Sequence, residues 1–168
     1  DKAVSDGLIK IIGKEIDERY MEEILKCRIC PEATEVFGDS LNIIYSPLHG
    51  AGYKLVPEVL KRAGITNLRI VPSQAEPDGN FPTVKSPNPE NKDAMHSVCE
   101  AVKNTNADFG IIFDTDVDRA GAVDKNGEEI WLTINDTNDY FVKATDGLVE
   151  KLDAMFEQRK SEILNSKS

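Results

Sequence analysis

Long apolar runs are missing from this sequence. None approaches the roughly 18 to 20 residues that a membrane-spanning helix needs, and the first residues lack the basic, apolar, small-residue order of an export leader. Cysteine is scarce too. Three in 168 residues make no disulfide scaffold and suit a reducing compartment. Positive charge is short: 20 Lys and Arg stand against 30 Asp and Glu, a net charge of −10, which repels nucleic-acid phosphates and anionic lipid. These absences exclude a disulfide-stapled module and argue against nucleic-acid and membrane partners. The expectation is a cytoplasmic globular chain with one core.

The few cysteines are nevertheless patterned. Cys27 and Cys30 are spaced C-x-x-C, and His96 with Cys99 would present two further ligands from one helical turn, which together would complete a tetrahedral zinc site. A redox pair needs a strand before it and a helix after it, whereas this pair ends a helical stretch and runs into Pro31. Buried or half-buried free thiols are the expectation.

Along the chain, Leu8 to Gly13 reads as a short strand and Lys14 to Cys27 as a helix with Ile16, Tyr20, Ile24 and Cys27 at helical spacing. That strand has no partner of its own nearby, so residues 1–40 are read as a linker strand and helix from a preceding module. Leu41 to Ser46 is an apolar run of strand length, followed by Pro47-Leu48-His49-Gly50 and a helix from about Gly52 to Ala63. Gly64 stops that helix, and Leu68 to Pro72 begins a second strand. Residues 73–91 hold five prolines or glycines, the composition of a long ordered loop, and such loops in compact domains are usually functional. Asp93 to Asn104 is a helix burying Met95, Val98, Cys99 and Val102, and Phe109 to Phe113 is a third strand. Ala120 to Val123 and the turn Asp124-Lys125-Asn126-Gly127 form a returning, antiparallel strand. This order predicts a three-layer α/β/α sandwich with a mostly parallel mixed sheet, its last strand antiparallel. Ligand sites in such sheets lie at the carboxyl ends of the strands. Residues 41–133 are read as one metal-binding α/β domain and 134–168 as a C-terminal amphipathic helix carrying Phe141, Leu148, Leu152, Met155 and Phe156.

The third strand empties into Asp114-Thr115-Asp116-Val117-Asp118-Arg119. Alternate residues of an extended chain lie roughly 6.6 Å apart and face the same way, so three carboxylates gather where they would repel one another. A hard divalent cation with oxygen ligands relieves that. A calcium loop of the EF-hand type is excluded, because its sixth position needs Gly and its twelfth Glu, and here they are Arg119 and Lys125. The stretch Ile111 to Asp116 resembles the D-x-D strand end of haloacid-dehalogenase-like phosphatases, although only 50 residues follow Asp118 to hold that family's further motifs.

The whole run Asp114 to Arg119 resembles the D-x-D-x-D-R metal loop of the α-D-phosphohexomutases, the phosphoglucomutase and phosphomannomutase family. Tyr45-Ser46-Pro47-Leu48-His49-Gly50 looks like the segment that opens that family's second domain, and Pro77 to Glu90 is similar to its long interstrand loop. The likeness extends over residues 8–130. It implies that Asp114, Asp116 and Asp118 hold Mg²⁺ and that Arg119 clamps phosphate, with a surface ion pair to a neighbouring carboxylate as the alternative. The chemistry implied is transfer between a phosphoserine outside this chain and a hexose phosphate, through a hexose bisphosphate. His49 would orient substrate or a ligand, or else hydrogen-bond within its own turn. Asn80 and Lys85 would bind substrate, or stand solvated on their loop. No S-H-N-P-like or S-G-T-like segment is present, so the remaining domains of the same parent chain are expected partners. A cation- or phosphosugar-binding module without turnover is the alternative function.

Overall fold

The computed structural model describes residues 2–130; the helix expected over 134–168 lies outside them. Among the described residues, five α-helices and five strands follow in the order α1 (Lys2–Ser5), α2 (Lys14–Lys26), α3 (Pro31–Phe37), β1 (Asn42–Ser46), α4 (Gly52–Arg62), β2 (Asn67–Ile70), α5 (Lys92–Thr105), β3 (Phe109–Phe113), β4 (Ala120–Val123) and β5 (Glu129–Ile130). They build one sheet in the order β2-β1-β3-β4-β5. The strands β2, β1 and β3 are parallel, and β4 and β5 return antiparallel. The mixed α/β sheet expected from the sequence is therefore the fold. No described helix is long and apolar enough to cross a membrane.

Alternation along β1 sends successive side chains to opposite faces of the sheet. Ile44 joins Val98, Val102, Ile112 and Val123 in the core beneath α5, while Tyr45 faces the other way and its hydroxyl donates to the Gly52 carbonyl in the first turn of α4, at 3.1 Å. Helices thus cover both faces. Val98, Val102, Ile112 and Val123 are all fully buried, each contributing roughly 1.5–3 kcal/mol relative to exposure. The close approach of α5 depends on Gly110, where a Cβ would come within 2.6 Å of Val98 and 2.9 Å of Val102. Asn106 ends α5 in the left-handed conformation that asparagine tolerates.

Two expectations need correction. Residues 8–13 form no strand; a strand needs a ladder partner, none of the described strands pairs there, and Leu8, Ile9, Ile11 and Ile12 are exposed. Cys27 and Cys30 are exposed and only Cys99 is buried, because the first two sit at the outer junction of α2 and α3. Cys27, Cys30, His96 and Cys99 do not converge, and the aspartates 114, 116 and 118 are the one cluster of metal-ligating side chains among the described residues. The short helix α3, unread in the sequence, starts with Pro31 at its first position, where a missing N–H costs nothing. The helix α2, whose Met21 is buried, lies on α4 and is tied to it by a bidentate Arg62–Glu18 pair at 2.6 and 2.9 Å.

Candidate metal centre

The strands β1 and β3 are parallel neighbours, with Ser46 opposite Ile112, so the segments that follow them open on the same sheet edge. Their backbones meet there. Ala51 N–H donates to the Thr115 carbonyl at 2.8 Å, and Gly50 presses so closely that a Cβ would overlap the Thr115 backbone.

At the end of β3, Asp114 is fully buried. One carboxylate oxygen, Oδ1, accepts the backbone N–H groups of Asp118 and Arg119 at 3.0 and 3.1 Å, and the other, Oδ2, accepts Arg119 Nε at 2.8 Å. The loop therefore folds back around its own first carboxylate, and Val117 is held at φ 69°, a left-handed conformation that a β-branched residue adopts only under constraint. Burial works to raise the Asp114 carboxyl, but hydrogen bonds from Arg119 and Asp118 and the charge of the guanidinium outweigh it and hold the group below the ordinary carboxylate range. Asp118 is pushed up, first by its contact with the Asp114 carboxylate, then by desolvation and the charges of Asp114 and Asp116. One neighbour is stabilised as an anion at the expense of the other.

Ligand oxygens of Asp114, Asp116 and Asp118 lie within 4.8 Å of one another. Three carboxylates and no softer donor fit a hard divalent cation of the Mg²⁺ or Ca²⁺ kind. Asp114 Oδ2 already accepts Arg119, yet a carboxylate oxygen has a second lone pair for a cation. Arg119 is half exposed and also lies 3.5 Å from Asp118, so the ion pair weighed as its alternative role is present.

Of the remaining residues singled out in the sequence, His49 lies in the turn after β1, and Asn80 and Lys85 lie on the loop between β2 and α5. His49, also at positive φ (60°), is buried, with Nδ1 3.1 Å from the Glu76 carbonyl and Nε2 2.9 Å from Thr83 Oγ1. Its partners belong to the long loop and not to its own turn. Asn80 is exposed, and its backbone and side-chain N–H groups both donate to Asp78 Oδ1, at 2.9 and 3.0 Å. Lys85 is exposed and its backbone N–H donates to Asp93 Oδ2 at 3.3 Å. The far end of the loop returns to the metal loop, where the charge of Glu90 acts on Arg119. Ser46, Gln74 and Thr83, which join His49 in a hydrogen-bonded chain, carried no signal in the sequence: polar residues 28 and 9 positions apart match no motif spacing.

Comparison with known proteins places this geometry. Residues 18–127 match the family model described as phosphoglucomutase/phosphomannomutase, alpha/beta/alpha domain II. A probable phosphomannomutase of Haemophilus influenzae is 36% identical over 95 residues, 56% of this chain and 20% of its own length. A phosphoglucomutase of Staphylococcus haemolyticus is 39% identical over 103 residues, 58% of this chain and 19% of its own; one of Staphylococcus epidermidis is 31% identical over 152 residues, 87% of this chain and 27% of its own. The crystal structure of a phosphoglucomutase/phosphomannomutase family protein from Burkholderia thailandensis superposes with a TM-score of 0.55 at 24% identity, over 77% of this chain and 27% of that one, which shows a shared fold. The chain spans about a fifth to a quarter of the length of these relatives.

Proposed function

The chain belongs to the phosphoglucomutase/phosphomannomutase family, whose α/β/α domain II it contains, and from that premise we propose that it holds the Mg²⁺ of a phosphohexomutase. Asp114, Asp116 and Asp118 are the ligands in this reading. The observation that carries it is the convergence of their three oxygens within 4.8 Å at the carboxyl end of β3, where three carboxylates share the single guanidinium of Arg119. When bound, the cation supplies positive charge against the oxygens of a phosphoryl group in transfer. The substrate is a hexose phosphate, passing through a hexose bisphosphate, and the phosphoserine that exchanges phosphate with it lies in other domains of the same parent.

The protein's own groups do the rest. The buried Asp114 organises the loop by drawing in the amides of residues 118 and 119, and the carboxylates of Asp116 and Asp118 stay exposed beside it. Arg119 is tethered through Nε, and the guanidinium stands ready to clamp phosphate, since its planar fork suits two phosphoryl oxygens at once. His49 acts on the site through the loop it holds. Asn80 and Lys85 stand exposed on that loop, in position to meet a sugar phosphate. The dehalogenase-like reading loses its basis with the family assignment. Titration calorimetry with MgCl₂ tests the proposal: wild-type protein gives a binding heat that Asp116→Asn lacks, and equal heats in the two would remove the metal assignment.

A further inference from the structure

A chain of polar groups, buried at Ser46, Gln74 and His49 and reaching the surface at Thr83, ties the long loop between β2 and α5 to the turn that follows β1. Leu48 N–H donates to Ser46 Oγ at 3.1 Å, and Ser46 Oγ donates to Gln74 Oε1 at 2.7 Å. Gln74 Nε2 donates to Thr83 Oγ1 at 3.2 Å. The Glu76 carbonyl can only accept, so His49 carries its proton on Nδ1, and Nε2 accepts the Thr83 hydroxyl. The hydroxyls of Ser46 and Thr83 and the His49 ring N–H then each meet an acceptor. Ser46 and Gln74 are fully buried and His49 is nearly so, where an unmet polar group would be expensive. Main-chain bonds run alongside: His49 N–H to the Gln74 carbonyl at 3.0 Å, and Asp78 N–H to the His49 carbonyl at 3.1 Å.

The same turn is bonded on its other side to the aspartate loop, through Ala51 N–H to the Thr115 carbonyl and through the Gly50–Thr115 contact. Residues 47–51 are therefore wedged between the two loops, and a shift of Thr115 has no slack to absorb it before it reaches His49. We propose that Thr83, with Gln74 and His49, is a positioning residue that couples the loop over residues 76–84 to cation binding at the aspartates. This rests on the metal reading above and goes beyond it. Holding Asp114, Asp116 and Asp118 around one ion orders the loop's backbone around Thr115, the 47–51 turn is fixed with it, and the hydrogen-bonded chain passes that restraint to the loop carrying Asn80. Coupling of this kind is reciprocal, so whatever loosens the loop must weaken the cation by the same factor.

Hydrogen exchange of the full 168-residue chain tests this, with MgCl₂ against NaCl of equal ionic strength. The amides of Asp78, Phe81 and Val84, all hydrogen-bonded within or beside the loop, are the probes, and amides in β1 and β3 report on the fold itself. Mg²⁺ should slow the three loop amides about fivefold, at the low end of ordinary coupling between sites. Thr83→Val, which keeps the shape and removes the hydroxyl, should abolish that slowing, leave β1 and β3 unchanged, and raise the Mg²⁺ dissociation constant by a similar factor; Thr83→Ser should restore both. Binding heat without any change at the loop amides overturns the coupling and leaves the metal site standing. Loop slowing that survives in Thr83→Val overturns the role of the hydroxyl chain. No binding heat at all overturns the metal reading and this inference with it.

Discussion

Replacing Asp114 by Asn separates what the first aspartate does for the fold from what it does for a cation. Its carboxylate accepts two backbone N–H groups and Arg119 Nε. An amide offers one acceptor and one donor. If its oxygen keeps the two backbone bonds, each falls from a charge-assisted bond to a neutral one, a loss of about 1 kcal/mol apiece. The NH₂ then faces the Arg119 Nε–H, donor against donor. That clash adds little, because the half-exposed guanidinium can turn to water and its pairing was already screened. Relief of repulsion with Asp116 and Asp118 works the other way, and is small because both are exposed. The expected net loss is about 2 kcal/mol, equivalent to roughly 4–8 °C in Tm for a chain of this size. Urea unfolding in excess chelator measures it, with Asp116→Asn as the control: its exposed side chain anchors nothing in the loop backbone, so its midpoint should match the wild type or exceed it slightly. Equal stability of Asp114→Asn and wild type would show that Asp114 does not organise the loop.

The depressed Asp114 carboxyl gives a signed pH dependence: with its folded-state pKa below the ordinary value of about 3.9, its contribution is present above that value and lost as pH falls through the folded one, so in acid urea titrations below about pH 4 the wild type should lose stability more steeply than Asp114→Asn. Gly50→Ala forces a methyl into the Thr115 backbone and should destabilise by about 2 kcal/mol or more, with weakened Mg²⁺ binding, in calorimetry and urea unfolding. A disulfide reagent should modify Cys27 and Cys30 at once and Cys99 only on unfolding, since burial both hides that thiol and pushes its pKa up; three equally fast thiols would contradict the packing of α5. In a coupled assay with the bisphosphate activator, the 168-residue chain should show no mutase turnover if, as proposed above, the phosphoryl carrier lies in other domains; turnover lost in Asp114→Ala would place a carrier within this chain.

The sheet was legible because β1 and β3 are apolar runs bounded by turn residues and β2 alternates apolar with polar, and α4 and α5 because their apolar positions recur at helical spacing. The run Leu8 to Ile12 has the same composition as those strands and fails for want of a partner, a property of tertiary structure that a local window does not contain. The aspartates were legible as a pattern, but the pattern treats the three as equivalent. In the fold Asp114 is buried and engaged by its own loop while Asp116 and Asp118 are exposed, a difference made by the backbone turning at Val117, whose side chain disfavours that turn. His49 stood out by its place after a strand. What it touches, Glu76 and Thr83, lies 27 and 34 residues away, and satisfaction of buried polar groups over such separations leaves no periodic trace.

The central claim is that the aspartate loop binds a divalent cation in the folded state. The most direct measurement is the thermal midpoint of the wild-type chain across a MgCl₂ series, against NaCl of matched ionic strength and against Asp116→Asn. A dissociation constant of about 1 mM gives about 1.4 kcal/mol of stabilisation at about 10 mM Mg²⁺ by mass action, or roughly 3–6 °C. That rise is expected for Mg²⁺ in the wild type alone; a Mg²⁺ response equal to that of NaCl, or the same in Asp116→Asn, would refute cation binding at the aspartates.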